Sequence, residues 1–321
     1  LLQYLNQKIK YKFLYQPYFF NNFFLLLILS AIWGSAFFAI KVGLQIFSPT
    51  AVASLRLIIA SIFLLFIFYI TKRKIRFNKE IFLILIIIGI IGNFIPFYLI
   101  SWSEQFIPSS TAGMLMAIGP IITLLMSHFF TKNDKFTLNK FISIIVGFTG
   151  VIFIFNINSF NSFQITTQID FIAKFLVILA AFGYMFSNIL AYEKLQNLDS
   201  FSITTFATTF GAIFSLPFLF FDFTFNNYNI EFNSNSIYAI IYLGIFPTAI
   251  AFQFRYYITK TSGPIFLSYV AYLIPAFAVL WGYILLAEKI TLNSFIGIFL
   301  ILLGVYLGQN NLVTKIRKKY I

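Results

Sequence analysis

The sequence predicts an all-α integral membrane protein of ten transmembrane helices, arranged as two inverted five-helix repeats. Three observations carry this reading. The chain of 321 residues is 60% hydrophobic and only 10% charged, against about 25% charged residues in a soluble domain. Its apolar residues fall into ten successive runs of about 18–23 residues, each long enough to cross a hydrocarbon core of about 30 Å. One stretch also occurs twice: DKFTLNKFISIIVGFTGV, Asp134 to Val151, returns as EKITLNSFIGIFLILLGV, Glu288 to Val305. The copies share Lys135/Lys289, Thr137/Thr291, Leu138/Leu292, Asn139/Asn293, Phe141/Phe295, Ile142/Ile296, Ile144/Ile298, Gly150/Gly304 and Val151/Val305. Two unrelated apolar segments can coincide at Leu or Ile. Coincidence does not account for the shared polar opening D/E-K-x-T-L-N, so an internal duplication is the better reading.

The runs lie near 23–44, 50–70, 80–101, 108–130, 138–156, 171–192, 201–221, 236–258, 264–286 and 292–309. They are continuously apolar rather than alternating, which excludes transmembrane strands. The first is longer than a signal-peptide core of about 7–15 residues and further spans follow it, so it is read as a true span. Residues 1–22 carry Lys8, Lys10, Lys12, Tyr15 and Tyr18, a basic and aromatic tail suited to lipid headgroups. A second basic tail occupies 310–321, and 157–170 links the halves 23–156 and 171–309.

Lys and Arg set the orientation. With the N-terminus inside, the inner segments hold Lys8, Lys10 and Lys12, then Lys72, Arg73, Lys74, Arg76 and Lys79, then Lys132, Lys135 and Lys140, then Lys194, Lys260, Lys315, Arg317, Lys318 and Lys319. The outer segments hold Lys174 and Lys289, and the loops 157–170 and 222–235 are rich in Asn, Ser and Thr without any Lys or Arg. The positive-inside rule then puts both termini in the cytoplasm of a cell inner (plasma) membrane. The net charge of +13 resides in these clusters and does not describe a nucleic-acid-binding surface. Cysteine is absent, so there is neither a disulfide framework nor a Cys metal site. The partners implied are a small-molecule substrate and the lipid bilayer, with no nucleic acid and no cofactor, for a monomer or homodimer.

The duplication echoes backward from its strongest stretch. Pro120 in span four answers Pro275 in span nine, Trp33 in span one answers Tyr184 in span six, and Leu44-Gln45 answers Leu195-Gln196. The unit is therefore five spans. Five is odd, so the second copy enters the membrane from the opposite side. Inverted repeats are a signature of secondary transporters, whose substrate site lies near the midplane between the halves.

Several of these residues, at these spacings, resemble the EamA-type branch of the drug/metabolite transporter superfamily. They are Trp33-Gly34-Ser35 in span one with Lys41 further along it, Arg56 in span two, Pro275 in span nine, and Glu288-Lys289-Ile290-Thr291 leading to Gly297 and Gly304-Val305. The resemblance covers nearly the whole chain after residue 22. It implies a ten-helix, inverted-repeat carrier of small metabolites, often an exporter, with spans five and ten peripheral and the others lining a central cavity. It names no substrate. The chain departs from the pattern in Asp134, where Glu288 would be mirrored, and in its basic N-terminal tail.

Helical periodicity suggests which side chains meet in that cavity. In span one, Ser30, Trp33, Gly34, Phe37 and Lys41 share one face; in span six, Ala180, Tyr184, Ser187, Asn188 and Ala191 do so. Span three offers Asn93, Tyr98, Ser101, Glu104 and Gln105, span eight Thr248, Gln253 and Tyr256, and span nine Ser268, Tyr272, Pro275 and Tyr283. Polar groups at membrane depth are costly unless they face the bundle interior or a wet cavity. Any one of them can be a purely structural interhelical hydrogen bond, whereas the set converges on a cavity. The candidate substrate-binding residues are thus Trp33, Phe37, Asn93, Tyr98, Ser101, Tyr184, Asn188, Gln253, Tyr256, Ser268 and Tyr272. Pro120 and Pro275 are candidate gating points or, equally, static kinks. Lys41 and Arg56 are candidates for contact with a substrate anion or for snorkelling to the outer interface. Arg255, near the inner end of span eight, admits the same two readings with snorkelling favoured, and His128 reads as interfacial.

No carboxylate falls at mid-membrane, and Glu104 approaches the bundle only near a span end. A carrier of organic cations would place an acid there. A neutral or zwitterionic, amino-acid-like metabolite is therefore expected, moved by alternating access and exported, with uptake or exchange of another metabolite as the alternative. An intramembrane enzyme would need a nucleophile with a base, or metal ligands, from a chain with one His and no Cys. A receptor or scaffold would have no need of a mirrored duplication. No Walker or EF-hand type loop is present.

The orientation is testable by single cysteines. Introduced at Ser159 or Asn227, a cysteine should react with an impermeant maleimide added outside intact cells; labelling only after the membrane is opened would reverse the assignment.

Overall fold

The computed structural model describes the backbone of residues 2–73, 75, 78–155, 167–225, 234–286 and 292–319, and the side chains of these apart from 2–21, 155, 225, 278–279, 281–286 and 309–319. Every regular element among the described residues is a helix. Helix α1 (Leu2–Gly43) turns into α2 (Pro49–Ile70), whose first turn is prepared twice. Ser48 Oγ accepts the Ala51 N–H at 3.0 Å, and Pro49 brings no amide to satisfy. Asn78 Oδ1 caps α3 (Lys79–Gly89) in the same way, accepting from Ile81 N at 2.7 Å.

Several apolar runs are not continuous α-helices. Helix α3 passes through a π-helical turn, π1 (Ile90–Phe94), into α4 (Ile95–Ser103). Pro96 stands just beyond π1; lacking an N–H, and with a ring that crowds the carbonyl a turn back, it disfavours a regular helix there. The next run is broken between α5 (Ser109–Met116) and α6 (Gly119–Phe130), one residue before Pro120, and is followed by α7 (Leu138–Phe155). Two long helices come next, α8 (Gln168–Lys194) and α9 (Ser200–Phe225). Helix α10 (Ser234–Leu243) then runs through π2 (Gly244–Ile250), which contains Pro247, into α11 (Ala251–Ser262). The short α12 (Pro264–Ser268) breaks at Tyr269 before α13 (Val270–Leu286), which contains Pro275, and α14 (Leu292–Lys319) follows.

Seven helical stretches are long and apolar enough to cross a membrane: Asn22–Gly43, Pro49–Ile70, Lys79–Ser103, Ser109–Phe130, Gln168–Lys194, Ser200–Thr224 and Ser234–Ser262. Three further apolar helices, Leu138–Ile154, Pro264–Phe277 and Leu292–Gly308, are shorter over the described residues. Large apolar side chains such as Phe66, Phe129 and Phe220 are mostly exposed, the surface a bilayer would cover.

Packing joins elements far apart in sequence. Helix α2 lies along α9, α1 meets α10 and α13, and α8 meets α4 and α6. The most extensive contact is between α7 and α14, the duplicated helices, and small residues set its distance. A methyl group on Gly150 would sit 2.6 Å from the carbonyl oxygen of Gly297, and one on Gly304 would sit 2.7 Å from that of Ser143. Close approach over small residues is how helices gain dispersion contact where lipid removes the hydrophobic drive.

The polar opening of the first copy has a structural task. Asp134 is buried, forms an ion pair with Lys140, and accepts the Ile265 N–H at 3.0 Å through its other oxygen. It thereby ties the start of α7 to the start of α12, beside Gly263 with its φ of +91°, a value that favours glycine. The equivalent acid of the second copy, Glu288, lies outside the described residues.

The α7/α14 crossing predicts a contrast between two glycines. Gly150→Leu should lower the melting temperature of the purified protein in detergent, by an overpacking cost of about 1–3 kcal/mol. Gly113→Ala, where the added methyl would meet nothing within 4 Å, should leave it unchanged or raise it.

Candidate substrate cavity

A cavity of about 740 Å³, counting the space at its mouth, lies among these helices. Helix α1 contributes Trp33, Ala36, Phe37 and Ile40; α2 contributes Arg56; α4 contributes Phe97 and Ile100; α5 contributes Met116. From the other half of the chain come Tyr184, Met185 and Asn188 of α8, Phe252 and Arg255 of α11, Leu267 and Ser268 of α12, and Val270, Ala271 and Ile274 of α13.

Four aromatic rings form a chain across it. Phe97 and Phe252 meet with ring centres 5.7 Å apart. Trp33 stands edge-on to Phe252 at 6.2 Å, and Tyr184 stands edge-on to Phe97 at 6.3 Å. These are the offset and edge geometries that aromatic pairs favour. Trp33 Nε1 donates to the Pro247 carbonyl at 3.0 Å. That carbonyl belongs to π2, so the half-buried indole finds its acceptor in the irregular turn.

Two arginines bracket the rings. Arg56 is only 3% exposed. Its guanidinium lies 3.6 Å over the Phe97 ring, and its Nε donates to Thr248 Oγ1 at 3.1 Å. Arg255 is fully buried. Its Nε donates to Asn188 Oδ1 at 2.6 Å and its Nη2 to Ser187 Oγ at 2.5 Å, with longer contacts to the carbonyls of Tyr184 and Gly92. The Phe252 ring lies 4.8 Å from its guanidinium carbon. Neither arginine forms an ion pair among the described residues. Glu104 is within electrostatic reach of Arg56. Its Oε2 accepts from Ser109 Oγ at 2.7 Å, and its buried Oε1 has no hydrogen-bond partner among the described residues.

The predicted site residues divide by location. Trp33, Phe37, Arg56, Tyr184, Asn188 and Ser268 come together at the cavity wall. Asn93, Tyr98, Ser101, Gln253, Tyr256 and Tyr272 are not among its lining residues. Asn93 is buried inside π1 and Ser101 in α4; Tyr98 is half-buried between two apolar clusters. Gln253 is directed toward Thr204 of α9 at 3.4 Å. Tyr256 is buried beside Arg255, and the Tyr272 ring packs against Gly147 of α7. Lys41 is exposed and donates to the Glu104 carbonyl at 2.6 Å, away from the cavity wall. Pro120 is buried at the start of α6, and Pro275 lies within α13.

The sequence reading did not single out Phe97 and Phe252, and it favoured snorkelling for Arg255. Phe97 and Phe252 occupy corresponding places in the duplicated pattern, each eight residues after a glycine (Gly89 and Gly244), so the repeat offered a signal. Arg255 lies three residues from the end of the apolar run 236–258. The helix in fact continues to Ser262, which sets Arg255 two turns inside, where it cannot snorkel to water.

The EamA-like transporter family profile matches the chain twice, over residues 22–156 and 171–308. The chain is 24% identical to the uncharacterized transporter YoaV of Bacillus subtilis, over 86% of this chain and 92% of that protein. It is 29% identical to an uncharacterized transporter of Archaeoglobus fulgidus, over 86% of this chain and 94% of that protein. A solved structure, described only as the crystal structure of a protein, shares the fold with a TM-score of 0.71 at 14% identity, covering 90% of this chain and 97% of its own. The double match, one on each half of a helical array with seven membrane-spanning candidates, makes the chain a member of the EamA-like transporter family: a multi-pass membrane transporter, not an enzyme.

Proposed function

We propose that the chain is a secondary transporter of ten spans in two inverted five-helix halves, 23–156 and 171–309, with the central cavity as its substrate site. The observation that carries this reading is reciprocal contact between corresponding residues. Trp33 meets Phe252 as its counterpart Tyr184 meets Phe97. A methyl on Gly244 would touch the Arg56 carbonyl, and one on Gly89 would touch the carbonyl of Ala207, the residue corresponding to Arg56. In α7 and α14, Gly304 faces Ser143 as Gly150 faces Gly297, again with the partners exchanged. Exchange of partners is what a two-fold axis between the halves produces, and the odd span count puts that axis in the membrane plane. The three shorter apolar helices complete the ten spans. Both termini are then cytoplasmic in the inner membrane, as the Lys/Arg distribution favours.

Two similar halves can adopt each other's conformations, which opens a central site to either side in turn. Pro120 and Pro275, which answer each other in the duplicated pattern and each follow a helix break, are the proposed flexing points. Walls of Trp33, Phe37, Phe97, Tyr184 and Phe252, with few polar groups, suit a small amphipathic metabolite. Asn188, Ser268 and the arginines favour a zwitterionic, amino-acid-like solute over a neutral one. Export is the direction that the family resemblance implies.

Flux of labelled amino acids across proteoliposome membranes tests this. Trp33→Ala and Tyr184→Ala should each lower the initial rate at least about tenfold with normal protein level and insertion, since aromatic truncation removes binding area on the order of 150–250 Å². Phe129→Ala, on the exposed surface, should transport as the wild type does. Equal rates for all three variants would remove the cavity from the transport path.

A further inference from the structure

We infer that the solute carried by this cavity bears a carboxylate, bound by the free end of the Arg56 guanidinium on the aromatic wall. The inference rests on reading the cavity as the transport site, and deepens it by naming the charged group recognised.

The argument begins with charge. Arg56 and Arg255 both line the cavity and are both buried. Against these two cations stands one nearby carboxylate among the described residues, Glu104, half engaged by Ser109. The group is therefore positive in excess, within a wall that is aromatic and aliphatic apart from Asn188 and Ser268. Charged side chains at this depth are rare, and characteristically pair or mark a substrate path. The aromatic faces under both guanidiniums offset part of the cost. The rest calls for an anion that the protein itself does not supply among its described residues.

The two arginines are not equivalent. Arg255 is largely engaged: it makes two short hydrogen bonds, to Asn188 and Ser187, and longer ones to two backbone carbonyls. It fixes α11 against α8 and holds positive charge on the cavity wall. Among the described residues Arg56 uses only Nε, toward Thr248. A guanidinium has five N–H donors in a planar fork, so both terminal nitrogens of Arg56 retain theirs at the cavity. Stacking on Phe97 at 3.6 Å fixes the plane of that fork. A fixed fork matches a carboxylate in two parallel hydrogen bonds. A bare amine would find repulsion and no acid on the wall. The apolar body of the solute would lie along Trp33, Phe37 and Phe252.

Four probes sharing a phenyl body and differing in head group separate this from the alternatives: phenylacetate, L-phenylalanine, phenylacetamide and phenethylamine. Binding to the purified full-length protein is read as a rise in melting temperature and as quenching of tryptophan fluorescence. Phenylacetate and L-phenylalanine should bind, and phenylacetamide and phenethylamine should bind at least tenfold more weakly. Arg56→Gln should lose at least tenfold in affinity for phenylacetate while its affinity for phenylacetamide is unchanged. Arg56→Lys, which keeps the charge but not the fork, should fall between. Equal binding of amide and carboxylate, unaltered phenylacetate affinity in Arg56→Gln, or binding of none of the four would each overturn the carboxylate assignment. Flux of a solute lacking a carboxylate that Trp33→Ala abolishes would leave the cavity as the transport site while refuting this inference.

Discussion

A chain inside hydrocarbon must satisfy its own backbone hydrogen bonds, because no water is there to accept or donate. Helical continuity is the simplest solution, yet this chain departs from it at π1, at π2, between α5 and α6, and between α12 and α13. Each departure has a proline within or shortly after it. Carbonyls within two of these departures meet side chains of the cavity wall: Pro247 O accepts from Trp33, and Gly92 O lies in reach of Arg255. Irregular backbone is tolerated at membrane depth where it is buried in protein or lines a cavity. The cavity and the broken helices thus depend on one another. Each of the two π-helical turns gives a carbonyl to a side chain of the wall, while α8 supplies the closer acceptors of Arg255.

The same constraint explains why Arg255 can sit fully buried. Four neutral acceptors from π1 and α8 surround a charge that no acid pairs among the described residues. Removing Asn188 or Ser187 therefore does more than trim the wall, since it leaves a buried donor unmatched, at about 1–3 kcal/mol or more for a charged group. Such a network is rigid on the α8/α11 side of the cavity. On the α2 side Arg56 has a single hydrogen-bond partner, Thr248, among the described residues. One wall is preorganised and the other remains open to a ligand.

Sequence periodicity located some of this and missed the rest for a definable reason. Trp33 and Phe37 lie on α1, and Tyr184 and Asn188 lie on α8, both uninterrupted through the membrane; extrapolating one face at about 100° per residue held there. Asn93, Tyr98 and Ser101 lie within or after π1, Gln253 and Tyr256 after π2, and Tyr272 after the break at Tyr269. An extra residue in a turn rotates everything beyond it by about 100°, so regular periodicity does not tell which face points inward beyond an interruption. Tyr272 accordingly packs on Gly147 rather than on the cavity. The duplication was legible because its polar opening carries structural work, seen in Asp134 on Ile265 N and Lys140. Phe97 and Phe252 were obscured by abundance: with 46 phenylalanines in the chain, only their corresponding positions distinguish them.

The central claim is that one cavity between mirrored halves opens to each side in turn. The chain has no cysteine, so a single one placed at Ala36, on the cavity wall, reports access without background. Its reaction with an impermeant maleimide is measured in right-side-out and inverted membrane vesicles. The account predicts reaction from both faces, with a transported solute slowing the two together. Reaction from one face only, whatever solute is present, would contradict it.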